Sequence, residues 1–335
     1  MQRISRRSVV KAIAAGGLAG AGIIGAPRPA RAETTPKTYT IYPVATGATA
    51  RGLTKLAENV AKATDNEFKI KVHLGGSLPI APSSVTSAVA SNIVQIGEDL
   101  FSAGNVPIVS VLRLPMLIRD THEYEIANAI MMPYLETAYD KKGIIVLGRI
   151  LYPQQTIWSR KKLTSASDIH GQKIRLGSPE QGELIRRFGG SVLTLGSSEV
   201  PAALDRGLVD GIITAAAGGG YIWRDLLKYN YLFPVNFLES LIVVNAEALR
   251  KLSEKDRTVL RQSVTDSCAW IMKTLADEED DLRRKMRDSG LIVTDVQPQD
   301  LRLGQEKMAA YWDEWVKTQP AETAAALGKV RKALG

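Results

Sequence analysis

Hydrophobic residues in the first third of the chain follow two alternating periods. Every second position is apolar in 68–74, which is the pattern of a half-buried strand. Apolar residues in 53–61 instead recur three and four positions apart, which predicts an amphipathic helix. A strand at 38–44 precedes this helix, and a helix at 83–92 and an apolar strand at 93–97 follow the second strand. The order β–α–β–α–β favours a mostly parallel sheet with helices on its faces.

A second α/β set begins after residue 143. Strands are predicted at 143–151, 156–159, 173–176, 191–195 and 208–214. A helix starts behind Ser178, because Pro179 suits the first helical position and Gln181 completes a capping box. Another helix is predicted at 198–206. Two separate α/β sets in one chain predict two lobes rather than one wide sheet.

One long helix follows these two sets. Ser253 is its predicted N-cap, Ser289-Gly290 ends it, and no Gly or Pro interrupts the residues between them. Such a helix extends roughly 50 Å, whereas a lobe of about 150 residues is only about 35 Å across. We therefore expect the helix to cross both lobes. The expected division is 33–152 with 240–280 for lobe I, and 153–239 with 281–335 for lobe II.

The first 32 residues have the layout of a secretory signal. A charged start contains the pair Arg6-Arg7, and an uncharged run rich in Ala and Gly covers 12–26. Small residues then surround Arg31, which predicts cleavage near Ala32-Glu33. The stretch around the two arginines resembles the twin-arginine export motif. We expect a periplasmic protein that has lost this segment.

The net charge belongs mostly to that leader. The whole chain carries a formal charge of +8, and the first 32 residues hold six basic residues and no acid. The remainder has 37 basic against 35 acidic residues, so nucleic-acid binding loses its main support. The single cysteine, Cys268, excludes an internal disulfide.

The sequence contains no recognisable catalytic or cofactor motif. It has no GxSxG, HExxH or Walker sequence, and its three histidines, His73, His122 and His170, are far apart. We therefore expect no catalytic residue, no metal and no cofactor. The alternative from another class is a periplasmic enzyme exported by the twin-arginine route, which often carries folded cofactor proteins.

Arg175 is the residue that suggests binding chemistry. It lies near the carboxyl end of the strand at 173–176, and ligands of open α/β sheets bind beyond such strand ends. Its planar guanidinium matches the geometry of one carboxylate. The position therefore suits an organic acid.

Two segments resemble one protein family. Asp168 to Arg175 (DIHGQKIR) is similar to the D-l-k-G-l-K-I-R segment of DctP-type solute-binding proteins of TRAP transporters, and 198–211 is similar to their S-E-v-y-x-A-L-q-x-G-x-V-D-G signature. Leu114 to Leu117 resembles their l-P-f-l turn. The resemblance implies a two-lobed α/β periplasmic binding protein, each lobe a mostly parallel sheet flanked by helices. It also implies capture of an organic acid and its delivery to a membrane permease.

The resemblance implies a set of ligand-binding positions. The arginine that ends the K-I-R strand, here Arg175, holds the ligand carboxylate. The further candidates are Thr214, Gln155, Glu98, Ser197 and Thr46. For Glu98, an ion pair with a nearby Lys or Arg is an equal alternative.

Gln155 departs from the family pattern. Members that take dicarboxylates or sugar acids often carry a second arginine about where Gln155 stands. One fixed cation favours one carboxylate, and the small side chains of Thr214 and Ser197 leave volume for a larger body. The expected ligand is a monocarboxylate such as a 2-oxo, hydroxy or aromatic acid.

The partners implied by the resemblance are the small and large subunits of a TRAP permease. A ligand-presenting sensor protein of the same fold is an open alternative. We expect a monomer, and a dimer formed through the C-terminal helix is the other possibility.

Overall fold

The computed structural model describes residues 35–335, so the leader predicted at 1–32 lies outside the described residues. The strands in this part of the chain are β1 (Lys37–Tyr39), β2 (Lys71–His73), β3 (Ile96–Asp99), β4 (Ile144–Leu151), β5 (Gln155–Ser159), β6 (Lys173–Leu176), β7 (Ser191–Thr194), β8 (Gly211–Thr214), β9 (Tyr229–Asn236), β10 (Glu239–Asn245) and β11 (Ile292–Thr294). The α-helices are α1 (Ala48–Ala63), α2 (Val85–Ala90), α3 (Ser110–Arg113), α4 (Thr121–Asp140), α5 (Gly182–Arg187), α6 (Val200–Asp205), α7 (Ala246–Lys251), α8 (Glu254–Asp288), α9 (Pro298–Trp315) and α10 (Ala321–Leu334).

The strands form two sheets, one in each lobe. The first has the order β2-β1-β3-β10-β4, and the second has the order β11-β9-β5-β8-β6-β7. Helices flank both sheets, and each sheet covers its own core of apolar side chains. The predicted α/β class with two lobes is therefore confirmed.

Both sheets are mostly parallel, as predicted, and each contains one antiparallel strand. β1 runs parallel to β2 and β3, and β6 runs parallel to β7 and β8, as the β–α–β order predicts. β10, however, is antiparallel to β3 and β4, and β5 is antiparallel to β8 and β9. The reason is the connectivity: the chain passes between sheets directly from β4 to β5 and from β9 to β10. Because no crossover helix precedes β5 or β10, each of these two strands runs opposite to the other strands of its sheet.

The long helix α8 agrees with its prediction to the residue. The Ser253 hydroxyl accepts a hydrogen bond from the Asp256 amide at 3.1 Å, which caps the first turn. Gly290 follows the helix with a φ of +96°, a conformation that favours glycine. Val264 lies in the core of the first lobe and Met286 in that of the second, so the helix crosses both lobes as expected.

Helix α1 packs closely against α8 at a glycine. A Cβ placed on Gly52 would lie 2.1 Å from Cγ1 of Ile271, so only a residue without a side chain permits this approach. Leu53 and Leu56, on the apolar face that the sequence predicted for α1, are buried in the same core. The contact fixes the first half of α8 on the first lobe.

The two C-terminal helices lie on different lobes. Met308 of α9 is buried in the second lobe, and the indole Nε1 of Trp312 donates to the Pro115 carbonyl at 3.0 Å. Leu327 and Val330 of α10 belong to the core of the first lobe, where α10 packs against α4. The expected assignment of all of 281–335 to lobe II is wrong for this last helix. The sequence shows that α10 has an apolar face. Which sheet this face covers depends on where the preceding helix α9 ends.

Among residues 35–335, no helix is both long enough and apolar enough to cross a membrane.

Candidate functional site

Two adjoining cavities lie in the cleft between the lobes. The outer cavity has a volume of about 440 Å³, and the inner one has about 30 Å³. Tyr42 of the first lobe and Ser197, Gly218 and Trp223 of the second line both cavities. We therefore treat them as one site with a wide outer chamber and a narrow inner end.

Arg175 lines the inner cavity. It is 3% exposed, and its position follows from β6, which ends at the cleft between its parallel neighbours β7 and β8. Its Nε and Nη2 both donate to the carbonyl oxygen of Leu195, at 2.9 and 2.6 Å. Its Cζ atom lies 6.0 Å from the centre of the Trp223 ring. Within residues 35–335, no carboxylate forms an ion pair with Arg175.

The electrostatics of Arg175 follow from this arrangement. Burial lowers the pKa of Arg175 to about 10, because removal from water penalises the charged guanidinium; Tyr42 and Glu199 oppose that shift. The side chain is nevertheless a cation at neutral pH. A buried cation without an anionic partner favours the arrival of an anion.

Three further predicted residues surround Arg175. Gln155 and Thr214 line the inner cavity and are 4% and 7% exposed, and Ser197 lines both cavities. Gln155 starts β5 and Thr214 ends β8, which is hydrogen-bonded to β5. The Nε2 of Gln155 donates to the Pro153 carbonyl at 2.7 Å, so the amide is held in place at the cleft. The structure therefore brings these residues together with Arg175.

Glu98 and Thr46 line neither cavity. Glu98 is fully buried on β3, where it accepts hydrogen bonds from the hydroxyls of Thr40 at 2.9 Å and Tyr152 at 3.3 Å. No Lys or Arg among the described residues pairs with Glu98, so the alternative of an ion pair is wrong. Burial raises the pKa of Glu98 to about 7, although hydrogen bonds from Ser240 and other donors lower it. Thr46 is exposed in the turn before α1.

The sequence analysis missed an aromatic wall. The rings of Tyr42 and Tyr152 lie 5.9 Å apart, and the Tyr152 hydroxyl is 2.9 Å from the hydroxyl of Thr49. These three residues and Trp223 line the outer cavity. No local pattern marks the two tyrosines, because they lie far apart in the sequence.

One signal near Trp223 was available in the sequence. The run Gly218-Gly219-Gly220 lacks the spacing of a phosphate-binding loop, and the structure gives it a packing role. A Cβ on Gly219 would lie 2.5 Å from the Trp223 ring, so the glycine lets that ring lie against the backbone. In this chain, the glycine run before Trp223 thus allows the indole ring to approach the backbone closely.

No three His, Cys, Asp or Glu residues of the described chain lie close enough together to hold a metal ion. The site is therefore built from one cation, a few polar groups and aromatic walls.

Comparison with known proteins identifies the family. The sequence profile of DctP, described as a bacterial extracellular solute-binding protein of family 7, matches residues 45–319. The chain belongs to this family. The resemblance to DctP-type proteins seen in the two sequence motifs is thus confirmed, and the protein is a bacterial extracellular solute-binding protein.

Its relatives share the fold at low sequence identity. A solute-binding protein of Chromohalobacter salexigens is 22% identical over 278 residues, which are 81% of each chain. A crystal structure of a Bordetella pertussis extracytoplasmic solute receptor binding pyroglutamic acid superposes with a TM-score of 0.82 at 22% identity, covering 88% of this chain and 99% of that one. A TRAP periplasmic solute-binding protein from C. salexigens with bound D-glucuronate gives a TM-score of 0.79 at 21% identity, covering 89% and 99%.

Proposed function

We propose that this DctP-family protein works in the periplasm, where it captures an organic monocarboxylate in the interlobe cleft and delivers it to the small and large subunits of a TRAP permease. The observation that carries the proposal is Arg175, a buried guanidinium that has no carboxylate partner among residues 35–335. The protein acts as a receptor, and we assign no residue a catalytic role.

The hydrogen bonds of Arg175 support its proposed role in holding the ligand carboxylate. Nε and Nη2 are directed at the Leu195 carbonyl, which holds the guanidinium plane in place before any ligand arrives. The Nη1 group forms no hydrogen bond within the described chain, so its N–H donors are available for a ligand oxygen. A charge-assisted bond in this buried place is stronger than a neutral one.

The two cavities divide the ligand into a head and a body. Gln155 stands in the inner cavity where relatives that take dicarboxylates or sugar acids often carry a second arginine, and this favours a single carboxylate. Tyr42, Tyr152, Ile222 and Leu275 give the outer cavity apolar walls for a larger body. The ligand of the Bordetella pertussis relative described above, pyroglutamic acid, is also a monocarboxylic acid.

The proposed mechanism is differential binding to two arrangements of the lobes. Tyr42 from the first lobe and Arg175 from the second approach the same inner cavity. With the lobes apart, water competes for the guanidinium. Closure around a ligand removes this water and strengthens the pairing of guanidinium and carboxylate, so the ligand selects the closed arrangement.

Thermal unfolding of residues 33–335 against a panel of mono- and dicarboxylic acids tests this function. A ligand at one hundred times its dissociation constant stabilises the folded state by about 2.7 kcal/mol, which raises the midpoint by a few degrees. We expect a shift confined to one class of monocarboxylate, lost in Arg175→Ala and retained in Arg206→Ala, a matched control at an exposed arginine of the same lobe.

Two results would contradict the proposal. One is a shift that Arg175→Ala retains, and the other is a dicarboxylate that binds much more tightly than its monoacid analogue. If no acid shifts the midpoint, the protein is denatured and the released molecules are identified by mass spectrometry. Absence of any released acid would then refute the proposed ligand class.

A further inference from the structure

A wall made of backbone borders the outer ligand cavity next to the long helix. The π-helical segment Ala216–Gly220 follows β8, and its residues Ala217 and Gly218 border the outer cavity. These residues have at most a methyl side chain. The main chain of this segment therefore forms the surface of the cavity. A small displacement of that main chain changes the width of the cavity directly.

One carboxylate on α8 holds this main chain. Glu279 is 8% exposed, and its Oε1 accepts from the Ala216 amide at 3.1 Å while its Oε2 accepts from the Ala217 amide at 2.8 Å. Arg283, one turn further along the helix, donates to the same carboxylate. Glu279 thus binds two consecutive amides at the start of the wall.

The other hydrogen bonds of the wall are internal. The amides of Gly219 and Gly220 donate to the Ala215 carbonyl, and that of Tyr221 donates to Ala216. These bonds shape the segment without joining it to another element. The two bonds to Glu279 are those that attach it to α8, whose Leu275 lines the outer cavity one turn earlier.

We propose that Glu279 is a positioning residue that holds the Ala216–Gly220 wall against the long helix and thereby sets the size of the acid body that the outer cavity accepts. The inference rests on the proposed function for its ligand. Glu279 itself lines neither cavity, so it acts through the wall and does not contact the ligand.

The binding test uses two acids with the same head and different bodies, pyruvate and phenylpyruvate. Glu279→Gln keeps the side-chain size, but its amide group directs N–H donors at one of the two wall amides. We expect calorimetry to show about tenfold weaker binding of phenylpyruvate, corresponding to the loss of one charge-assisted hydrogen bond. Binding of pyruvate, whose body is a single methyl group, stays within about twofold of the wild type.

Two variants on the same helix serve as controls. Glu278→Gln makes the same chemical change at the neighbouring residue, whose carboxylate pairs with Arg51 at the surface, and should leave both affinities unchanged. Val264→Ala removes buried volume in the first lobe and reports the effect of lower stability alone. If Val264→Ala and Glu279→Gln weaken the two acids in the same ratio, the role of Glu279 is merely structural and the proposal is overturned.

Hydrogen exchange of the unliganded proteins tests the positioning role without any ligand. We expect peptides covering 215–223 to exchange at least about threefold faster in Glu279→Gln than in the wild type, since the wall has lost its attachment. Unchanged exchange overturns the inference, as does an unchanged preference between the two acids. If the wild type binds neither acid, that contradicts the expected ligand class, whereas the exchange measurement still decides the role of Glu279.

Discussion

Two buried arginines, one in each lobe, behave differently in this molecule. Arg113 is 1% exposed and Arg175 is 3% exposed, so both guanidinium groups are removed from water. Arg113 donates from Nε to the carboxylate of Glu239 at 3.0 Å and from Nη2 to the backbone carbonyl of the same residue at 3.0 Å. Among residues 35–335, the one hydrogen-bond acceptor of Arg175 is the Leu195 carbonyl.

The pKa values of the two groups move in opposite directions. Burial lowers both, but for Arg113 the negative charges of Glu239 and Glu180 outweigh it and raise the pKa above its ordinary value. Nothing comparable offsets the burial of Arg175, whose pKa falls to about 10. Arg113 therefore stabilises the fold, because the protein itself supplies its anion, Glu239. Arg175 is suited to a binding site, because its anion would have to come from a ligand.

The location of Arg113 supports this structural reading. It ends α3 in the first lobe, and its carbonyl accepts from Asn236 at the end of β9, just before the chain crosses to β10. The neighbouring Ser110 donates to Glu180 of the second lobe. The Arg113–Glu239 pair thus stabilises the junction of the lobes.

The largest effect is expected from breaking the pair. Arg113→Met leaves the Glu239 carboxylate buried without a cation, and removal of one partner of a buried pair destabilises by about 3–5 kcal/mol. Urea unfolding measures this loss. The double variant Arg113→Met with Glu239→Leu should recover most of it, because no charge then remains buried. A loss below about 1 kcal/mol for the single variant would remove the distinction between the two arginines.

The next effect concerns binding rather than stability. Arg175→Lys keeps the positive charge but loses the planar geometry, so the affinity for the acid should fall about tenfold to a hundredfold. The free energy of unfolding should change by less than about 1 kcal/mol, because Arg175 has no ion pair to lose. Calorimetric titration and urea unfolding of the same protein give both values. An affinity within twofold of the wild type would show that Arg175 does not hold the carboxylate.

The last prediction extends the comparison to Glu98, a buried acid that has no counter-ion among residues 35–335. Its pKa is raised by burial to about 7. Between about pH 4.5 and 7, the folded state keeps a proton that the unfolded state has released, so this group's contribution to stability is lost as the pH rises. Glu98→Gln cannot titrate, and its midpoint of thermal unfolding should therefore rise relative to the wild type from pH 5 to pH 8.

The control for this prediction is Glu58→Gln at an exposed position of α1, whose midpoint should run parallel to the wild type over the same range. A constant difference between Glu98→Gln and the wild type would mean that Glu98 does not titrate in this window.

Elements whose signals are local could be predicted from the sequence. The bounds of α8 follow from Ser253 and Ser289-Gly290, and β6 was predicted at 173–176 as observed. The capping box of Ser178 and Gln181 is present as predicted. Caps, periods and turn residues act within a few positions of the chain, and they also place Arg175 near a strand end.

The way in which these elements meet could not be predicted, because it depends on contacts between distant parts of the chain. β10 inserts between β3 and β4 because the chain arrives directly from the other sheet, and no local pattern encodes that direction. Tyr42 and Tyr152 are more than a hundred positions apart in the sequence, yet their rings are in contact. Glu98 does not line the cleft and instead accepts a hydrogen bond from the Tyr152 hydroxyl. Glu279 reaches the wall 62 residues before it. Contacts of such sequence separation arise from the packing of two lobes around one helix, and that packing is a property of the whole chain.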